Sequence, residues 1–424
     1  MRYYLAVLFV VFAFGLPQMA VNQPQAILSV ADKIISSIGT ASDQFAAVLI
    51  AHNPKTIADI QTKYFATTTP VVSKINVLIV PGHEPDFGGT EFGKIKERDL
   101  NVELADDLKG FLDNAGHYNV VETRSYHSWS PEFSSYFKDS WQSIVDWERA
   151  SFKENAQLIS IGAIKHTPSK VYHNAAPQNV ATRLFGITKW ANEHDIDITV
   201  HIHFNDETER SIGSAGTHSG FAIYVPAQQY ANSTTTKAIA ESVFKQLSKY
   251  NPVSDLAGES SGIIDDSSLI AIGKNNTANS ASLLIEYGYI YEPQFNDPAV
   301  RDLVIKDLAY QTYLGLENFF GSTDKGFSFG YDTLMMPHDW KTMITKKKAP
   351  SDEVYALQTA LMLEGIYPPA KKSLNDCPRT GAFGVCTKTA LESFQNKYDI
   401  KDEKGIVGTS TLDVLNRLYS TQLI

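Results

Sequence analysis

Three apolar runs, each running up to a polar side chain able to do chemistry, constrain this chain more than any other feature. Ile75-Asn76-Val77-Leu78-Ile79-Val80 is followed by His83, and Ile196-Asp197-Ile198-Thr199-Val200-His201-Ile202 is closed by His203. Ser282-Leu283-Leu284-Ile285 is closed by Glu286. Runs of this length read as buried strands, and strands alternating with amphipathic helices make an α/β layered domain. Glu97 opens such a helix, with Leu100, Leu104, Leu108, Phe111 and Leu112 on one face. In open α/β sheets, ligands bind outside the carboxyl ends of the strands. That is where His83, His203 and Glu286 would gather.

Two imidazoles and a carboxylate suit a catalytic zinc, which takes three protein ligands and leaves a fourth place open. A second carboxylate suits the general base of such a site. His83, Glu97 and His203 supply the first set and Glu286 the second carboxylate. The ligands are far apart in sequence, so no local His-Glu-x-x-His helix motif exists. His201 and His203 alternate with Val200 and Ile202, so both face the same side of their strand. Either could be the ligand on spacing alone, the other being a hydrogen-bonded histidine behind it. The helix dipole also favours a carboxylate at a helix start, which is the plain structural reading of Glu97.

The formal net charge is −10 and no broad basic field exists, which excludes nucleic acid as a partner. Lys346-Lys347-Lys348 reads as a solvated linker. Arg2 precedes an apolar stretch from Tyr3 to Leu16, and Pro17 follows. This suits an export segment and is short for a spanning helix. No small-residue cleavage pattern is evident, so residues 1–26 read as a signal peptide or a membrane anchor. Only two cysteines occur, Cys377 and Cys386. In an exported protein they suggest one local disulfide.

Residues 27–73 read as a helical spacer ending in a Thr/Pro linker. Residues 74–320 form the α/β domain, with an aromatic-rich insertion over about 130–178. Phe133, Phe137, Trp141 and Ile144 keep helical spacing there and read as a core helix; the sharper alternative is a wall of the cleft. Asn232-Ser233 reads as a helix cap, and Asp297-Pro298 as the start of the last helix of this domain. Residues 321–349 read as a linker and 350–424 as a small helical domain. Within that domain, Leu357-Gln358 and Phe394-Gln395 form an internal echo.

Four ordered blocks carry a family resemblance. Pro81-Gly82-His83, Glu97-Arg98-Asp99-Leu100-Asn101, His201-Ile202-His203-Phe204-Asn205 and Leu284-Ile285-Glu286-Tyr287-Gly288-Tyr289 resemble the signatures of the type-3 zinc-dependent N-acetylmuramoyl-L-alanine amidases. The resemblance implies a mixed sheet flanked by helices and one zinc ion on His83, Glu97 and His203. It gives Glu286 the role of catalytic carboxylate. It favours His203 over His201, because His203 is followed by x-Asn; His201 takes the place of the family's Ser, and His201 and Asn205 become supports behind the ligands. The implied reaction is hydrolysis of the amide joining muramic acid to L-alanine in peptidoglycan. Leu357-Gln358, Gly381-x-Phe383-Gly384, Thr387, Phe394-Gln395 and Gly405-x-Val407-Gly408-x-x-Thr411 resemble a three-helix peptidoglycan-binding domain. Glycan strands and stem peptides are the partners implied, and the expected location is outside the cytoplasm: secreted, wall-associated, periplasmic or membrane-anchored.

The chain departs from the family at Glu84, where a Gly is usual, and at Tyr289-Ile290-Tyr291-Glu292. Ile272-Gly273-Lys274 lacks an arginine often found before the last strand. Two other readings stand beside the amidase. One is a zinc peptidase cutting within the stem peptide, which the same ligands would serve. The other is an inactive wall-binding scaffold, which predicts loss of one of the four residues; all four are present.

Overall fold

The structure, a computed structural model, describes residues 52–66, 74–173, 175–208, 210–211, 213–322, 330–344 and 350–421. The export segment, most of the spacer, the Thr/Pro linker and the Lys346–Lys348 run lie outside the described residues. No helix among the described residues is long and apolar enough to cross a membrane.

A short helix, α1 (Ile57–Phe65), begins at a reciprocal cap between Thr56 and Asp59. The central sheet has six strands: β1 (Ile75–Pro81), β4 (Tyr118–Glu122), β5 (Ile198–Asn205), β6 (Ala222–Pro226), β7 (Ile263–Asp266) and β8 (Ala281–Tyr289). Their order is β4-β1-β5-β8-β6-β7. All neighbours are parallel except β6 and β8, which are antiparallel. The sheet is therefore mixed. Its central strands β1, β5, β8 and β6 are mostly apolar runs because both faces are covered. A separate ribbon, β2 (Glu91–Phe92) with β3 (Ile95–Lys96), carries the chain into the next helix.

One face of the sheet is covered by α2 (Glu97–Ala115), α5 (Ser233–Leu247) and α7 (Pro298–Phe319), with a single turn, α6 (Pro293–Asn296), leading into the last. Leu100, Leu104, Leu108, Phe111 and Leu112 of α2 are buried there, as the apolar spacing predicts. Gly116, with φ 78°, ends α2 in the left-handed conformation that glycine adopts without strain. The other face is covered by α3 (Pro131–Ser160) and α4 (Gln178–Glu193). The Ser130 hydroxyl caps α3 by accepting from the Phe133 N–H, with Pro131 in the first turn. Phe133, Phe137 and Ile144 pack with Phe185, Ile187 and Trp190 against Leu78 and Val80. Each such side chain contributes on the order of 1.5–3 kcal/mol by leaving water. The aromatic-rich segment is thus a core helix.

Asn232 precedes α5 but its side chain makes no cap. Its amide donates instead to the Ile272 and Ser280 carbonyls, closing the loop before β8.

Three helices form the C-terminal unit: α8 (Asp352–Leu363), α9 (Val385–Lys397) and α10 (Thr409–Tyr419). The sequence echo is a structural repeat. Gln358 donates to Thr387 Oγ1 and accepts from the Gly381 N–H; Gln395 donates to Thr411 Oγ1 and accepts from the Gly405 N–H. Each glutamine thereby ties a glycine turn to the start of the following helix, and Gly381 and Gly405 sit at φ 72° and 74°. Cys377 and Cys386 form a disulfide.

Residues 330–344 lack regular structure but are not free. Met335, Met336, Trp340 and Ile344 are buried, and Trp340 Nε1 donates to the Glu353 carbonyl of α8. The C-terminal unit is docked on the α/β domain through Arg379. Its Nη2 lies 2.6 Å from Asp307 Oδ2 of α7, with both side chains only 1% exposed. Thr359 takes a second guanidinium proton, and the rings of Tyr355 and Tyr250 flank the cation.

Candidate active site

His83 lies just past β1, Glu97 is the first residue of α2, and His203 and Glu286 lie on adjacent strands β5 and β8, paired in register. Side chains alternate along a strand, so His201, His203 and Glu286 all face the α3–α4 side. Glu286 sits three residues before the end of β8, not at its end as the apolar run suggests.

Glu97 is the centre of the constellation. Its Oε1 lies 2.8 Å from His83 Nε2 and 3.0 Å from His203 Nδ1. The backbone N–H groups of Phe204 and Thr90 donate to its two oxygens. His83, Glu97 and His203 form a group whose ligand atoms lie within 4.8 Å of one another, and among the described residues it is the one cluster that could hold a metal ion. His201 is outside it; it is 2% exposed and hydrogen-bonded to the Ala271 backbone.

Two buried atoms bear on whether the group fits a metal ion. His83 Nε2 is buried, and its close approach to Glu97 lacks hydrogen-bond geometry; Glu286 Oε2 is buried with no hydrogen-bond partner. An unpaired buried polar atom is costly, and such atoms need an explanation in function or an unseen ion. The donor set of two imidazoles and a carboxylate fits zinc.

The backbone is shaped for this convergence. His83 itself has φ 70°, a left-handed conformation that a non-glycine residue rarely adopts. Gly82 lies flat on the His203 ring: a Cβ there would sit 2.3 Å from Nε2. Gly89, at φ 80°, passes close to both other ligands: a Cβ there would sit 2.9 Å from His83 Cδ2 and 3.2 Å from Glu97 Oε2.

Burial alone would raise the Glu97 carboxyl, but the two histidines outweigh it and hold it well below the usual carboxylate range. Glu286 goes the other way: burial, then repulsion from Glu97 and Glu259, pushes it well above that range. Burial lowers His203 and pushes His201 down to about 3, so His201 is neutral at physiological pH.

Sequence reasoning missed two supports. Glu259, fully buried, accepts from Asn205 Nδ2 (2.8 Å), the Tyr224 hydroxyl (2.6 Å), Ser254 and the Tyr289 hydroxyl (3.1 Å). It thereby fixes Asn205 beside the site. Arg124, 1% exposed, donates to carbonyls on both sides of the ligand cluster. Burial draws its pKa down to about 10, leaving it cationic. Glu259 sits in a polar loop with no local signal. Arg124 follows a strand, as His83 does, and that placement was the available clue.

No curated protein sequence matches the chain. Among solved structures, N-acetylmuramoyl-L-alanine amidase from Clostridium difficile 630 is 18% identical, with 59% of this chain and 99% of that one covered and a TM-score of 0.38. An amidase from Mycobacterium smegmatis is 17% identical, with 58% and 97% covered and a TM-score of 0.38. One from Nostoc punctiforme is 16% identical, with 58% and 97% covered and a TM-score of 0.35. The family model for a peptidoglycan binding domain matches residues 350–415. The model for N-acetylmuramoyl-L-alanine amidase matches residues 77–318, more than half of the chain and all four site residues. The chain belongs to the N-acetylmuramoyl-L-alanine amidase family, whose members are peptidoglycan hydrolases.

Proposed function

We propose that this amidase works with one zinc ion held by His83, Glu97 and His203, and that Glu286 moves the proton. The convergence of two imidazoles on the Glu97 carboxylate, facing a second buried carboxylate, carries this reading. Zinc bound there would polarise the scissile carbonyl and acidify water. Glu286, whose buried Oε2 has no hydrogen-bond partner, accepts the proton of the attacking water and delivers it to the leaving amine of L-alanine. His201 and Asn205 act behind the ligands, His201 through the Ala271 backbone and Asn205 through Glu259. The products are a glycan strand freed of its peptide and a stem peptide with a new L-alanine amino terminus.

The remaining assignments fit a wall enzyme. A peptidoglycan hydrolase acts outside the cytoplasm, and we take residues 1–26 as the segment that exports or anchors it. Residues 27–73 act as spacer, 74–320 as catalytic domain, 321–349 as connector and 350–424 as wall-binding domain.

The test is elemental analysis of the purified protein together with mass spectrometry of digested peptidoglycan. About one zinc per chain and new free L-alanine amino termini are expected. Cleavage inside the stem peptide instead would make the enzyme a peptidase. Absence of zinc from a fully active protein would remove the metal mechanism.

A further inference from the structure

We infer that Arg124 is the positioning residue that sets the metal affinity of the three-ligand site. The inference rests on the zinc reading above and concerns how the chain prepares for the ion. Arg124 emerges directly after β4, where the Thr123 N–H continues the pairing with Ile79 of β1. Its guanidinium turns under the end of β1. Nε donates to the Pro81 carbonyl at 3.1 Å, and Nη2 donates to the carbonyls of Gly82 and, at 2.9 Å, of Arg98. Nη1 donates to its neighbour, the Ser125 carbonyl, at 3.1 Å.

These acceptors are not scattered. Gly82 is the residue before His83, and Arg98 is the residue after Glu97. One planar fork therefore holds the backbone beside two ligands at once, which a lysine, with a single point charge, cannot do at matched angles. The third ligand is reached through Gly82. That residue lies against the His203 ring with no room for a Cβ, so its peptide is clamped between the imidazole and the guanidinium. Asn101 of α2 adds a second donor to the same Gly82 carbonyl, at 3.2 Å.

The partners also exclude an ordinary ion pair. Its hydrogen bonds all go to backbone carbonyls, and Glu122, Asp99, Glu84 and Glu97 act on the cation through longer-range attraction. A fully buried guanidinium satisfied only by carbonyls is a costly way to fill space. Its geometric effect, shared with Asn101 at Gly82, is to hold the left-handed backbone of His83 in place beside Glu97 and His203. Groups behind the ligands typically alter metal affinity by about 10–100-fold when removed.

The experiment uses the full chain with Arg124→Lys and Arg124→Met, and His83→Ala as the ligand control. Zinc affinity is read by competition with a chromogenic chelator, and site geometry by the visible spectrum of the cobalt-loaded protein. Thermal unfolding of the metal-free proteins reports folding separately. The expected result is a loss of about 10–100-fold in zinc affinity for both variants, with an altered cobalt spectrum. At saturating zinc, kcat falls while KM for peptidoglycan stays within about twofold, because the brace touches the backbone beside the ligands and not substrate. Should the Arg124 variants not fold, Asn101→Ser removes the second donor to Gly82 and is expected to weaken zinc severalfold. Folded variants that bind zinc within twofold of the parent and keep its cobalt spectrum overturn the inference. If the parent and His83→Ala bind zinc alike, the ligand assignment fails and takes this inference with it.

Discussion

Arg183 Nε donates to Glu84 Oε1 at 2.8 Å, pinning helix α4 to the loop that carries His83. The pair explains a departure from the family pattern. Glu84 stands where a glycine is usual, yet it is only 7% exposed. Its carboxylate is held by the helix that also buries Phe185 and Trp190 against the sheet. The metal loop is therefore tied to the core of the α3–α4 layer.

Removing the cation from this pair leaves a buried carboxylate alone. Arg183→Met is expected to cost about 2–3 kcal/mol of stability, and Glu84→Gln less, because a neutral amide is cheaper to bury. The double variant should recover part of the loss. Urea unfolding of the two single variants and the double variant measures the coupling; simple additivity would show that the pair does not act as one.

Glu286 and Glu97 separate by experiment. Glu286→Gln should keep its metal and lose about 10²–10⁴-fold in turnover of peptidoglycan, the usual contribution of a positioned proton-transfer group. Glu97→Gln should lose metal and activity together. A Glu286→Gln protein with parental turnover would assign the proton transfer elsewhere.

Glu122 at the end of β4 gives stability a pH dependence. Burial, and then the adjacent Asp106 carboxylate, raises its pKa from 4.5 to about 8. Between those values the unfolded chain has released this proton while the folded protein still holds it. The folded state binds more protons there, so this group's contribution to stability falls as pH rises from about 4.5 to about 8, and is level outside that window. Glu122→Gln removes the dependence. Its melting temperature should match the parent near pH 4 and exceed it by a growing margin towards pH 8. Parallel curves across the window would exclude Glu122 as the source.

The Cys377–Cys386 bond closes a short loop in the wall-binding unit. Constraining a loop of that size is worth ~2–3 kcal/mol in the chain-entropy picture. Reduction, or replacement of both cysteines by serine, should lower the unfolding temperature of the C-terminal unit while leaving catalysis on soluble muropeptides in place. Calorimetry with and without reductant reads this directly.

How much the sequence reveals depends on where the partners of a residue lie. His83, His203 and Glu286 were legible because each sits against an apolar run that any sheet would bury. Gln358 and Gln395 were legible as a repeat because each directly follows a buried apolar residue, Leu357 and Phe394. Arg124 was not, since its acceptors at Pro81, Gly82 and Arg98 come close only once β4 lies beside β1. Asn232 shows the reverse error: local capping chemistry pointed to α5, but carbonyls across the fold hold its amide. Strand β7 is four residues long and half aspartate, so no apolar run announces it.

The buried contact between Arg379 and Asp307 bears on how such an enzyme travels over its substrate. A hydrolase joined to its anchor by a loose tether sweeps every bond within a radius. Here the anchoring helices are seated on α7 by a buried cation that pairs with Asp307 and lies against two tyrosine rings, a contact that has to break before they can swing. Each docking on the wall then offers the catalytic centre bonds at one set reach. While that contact holds, progress along the polymer comes from letting go and landing again.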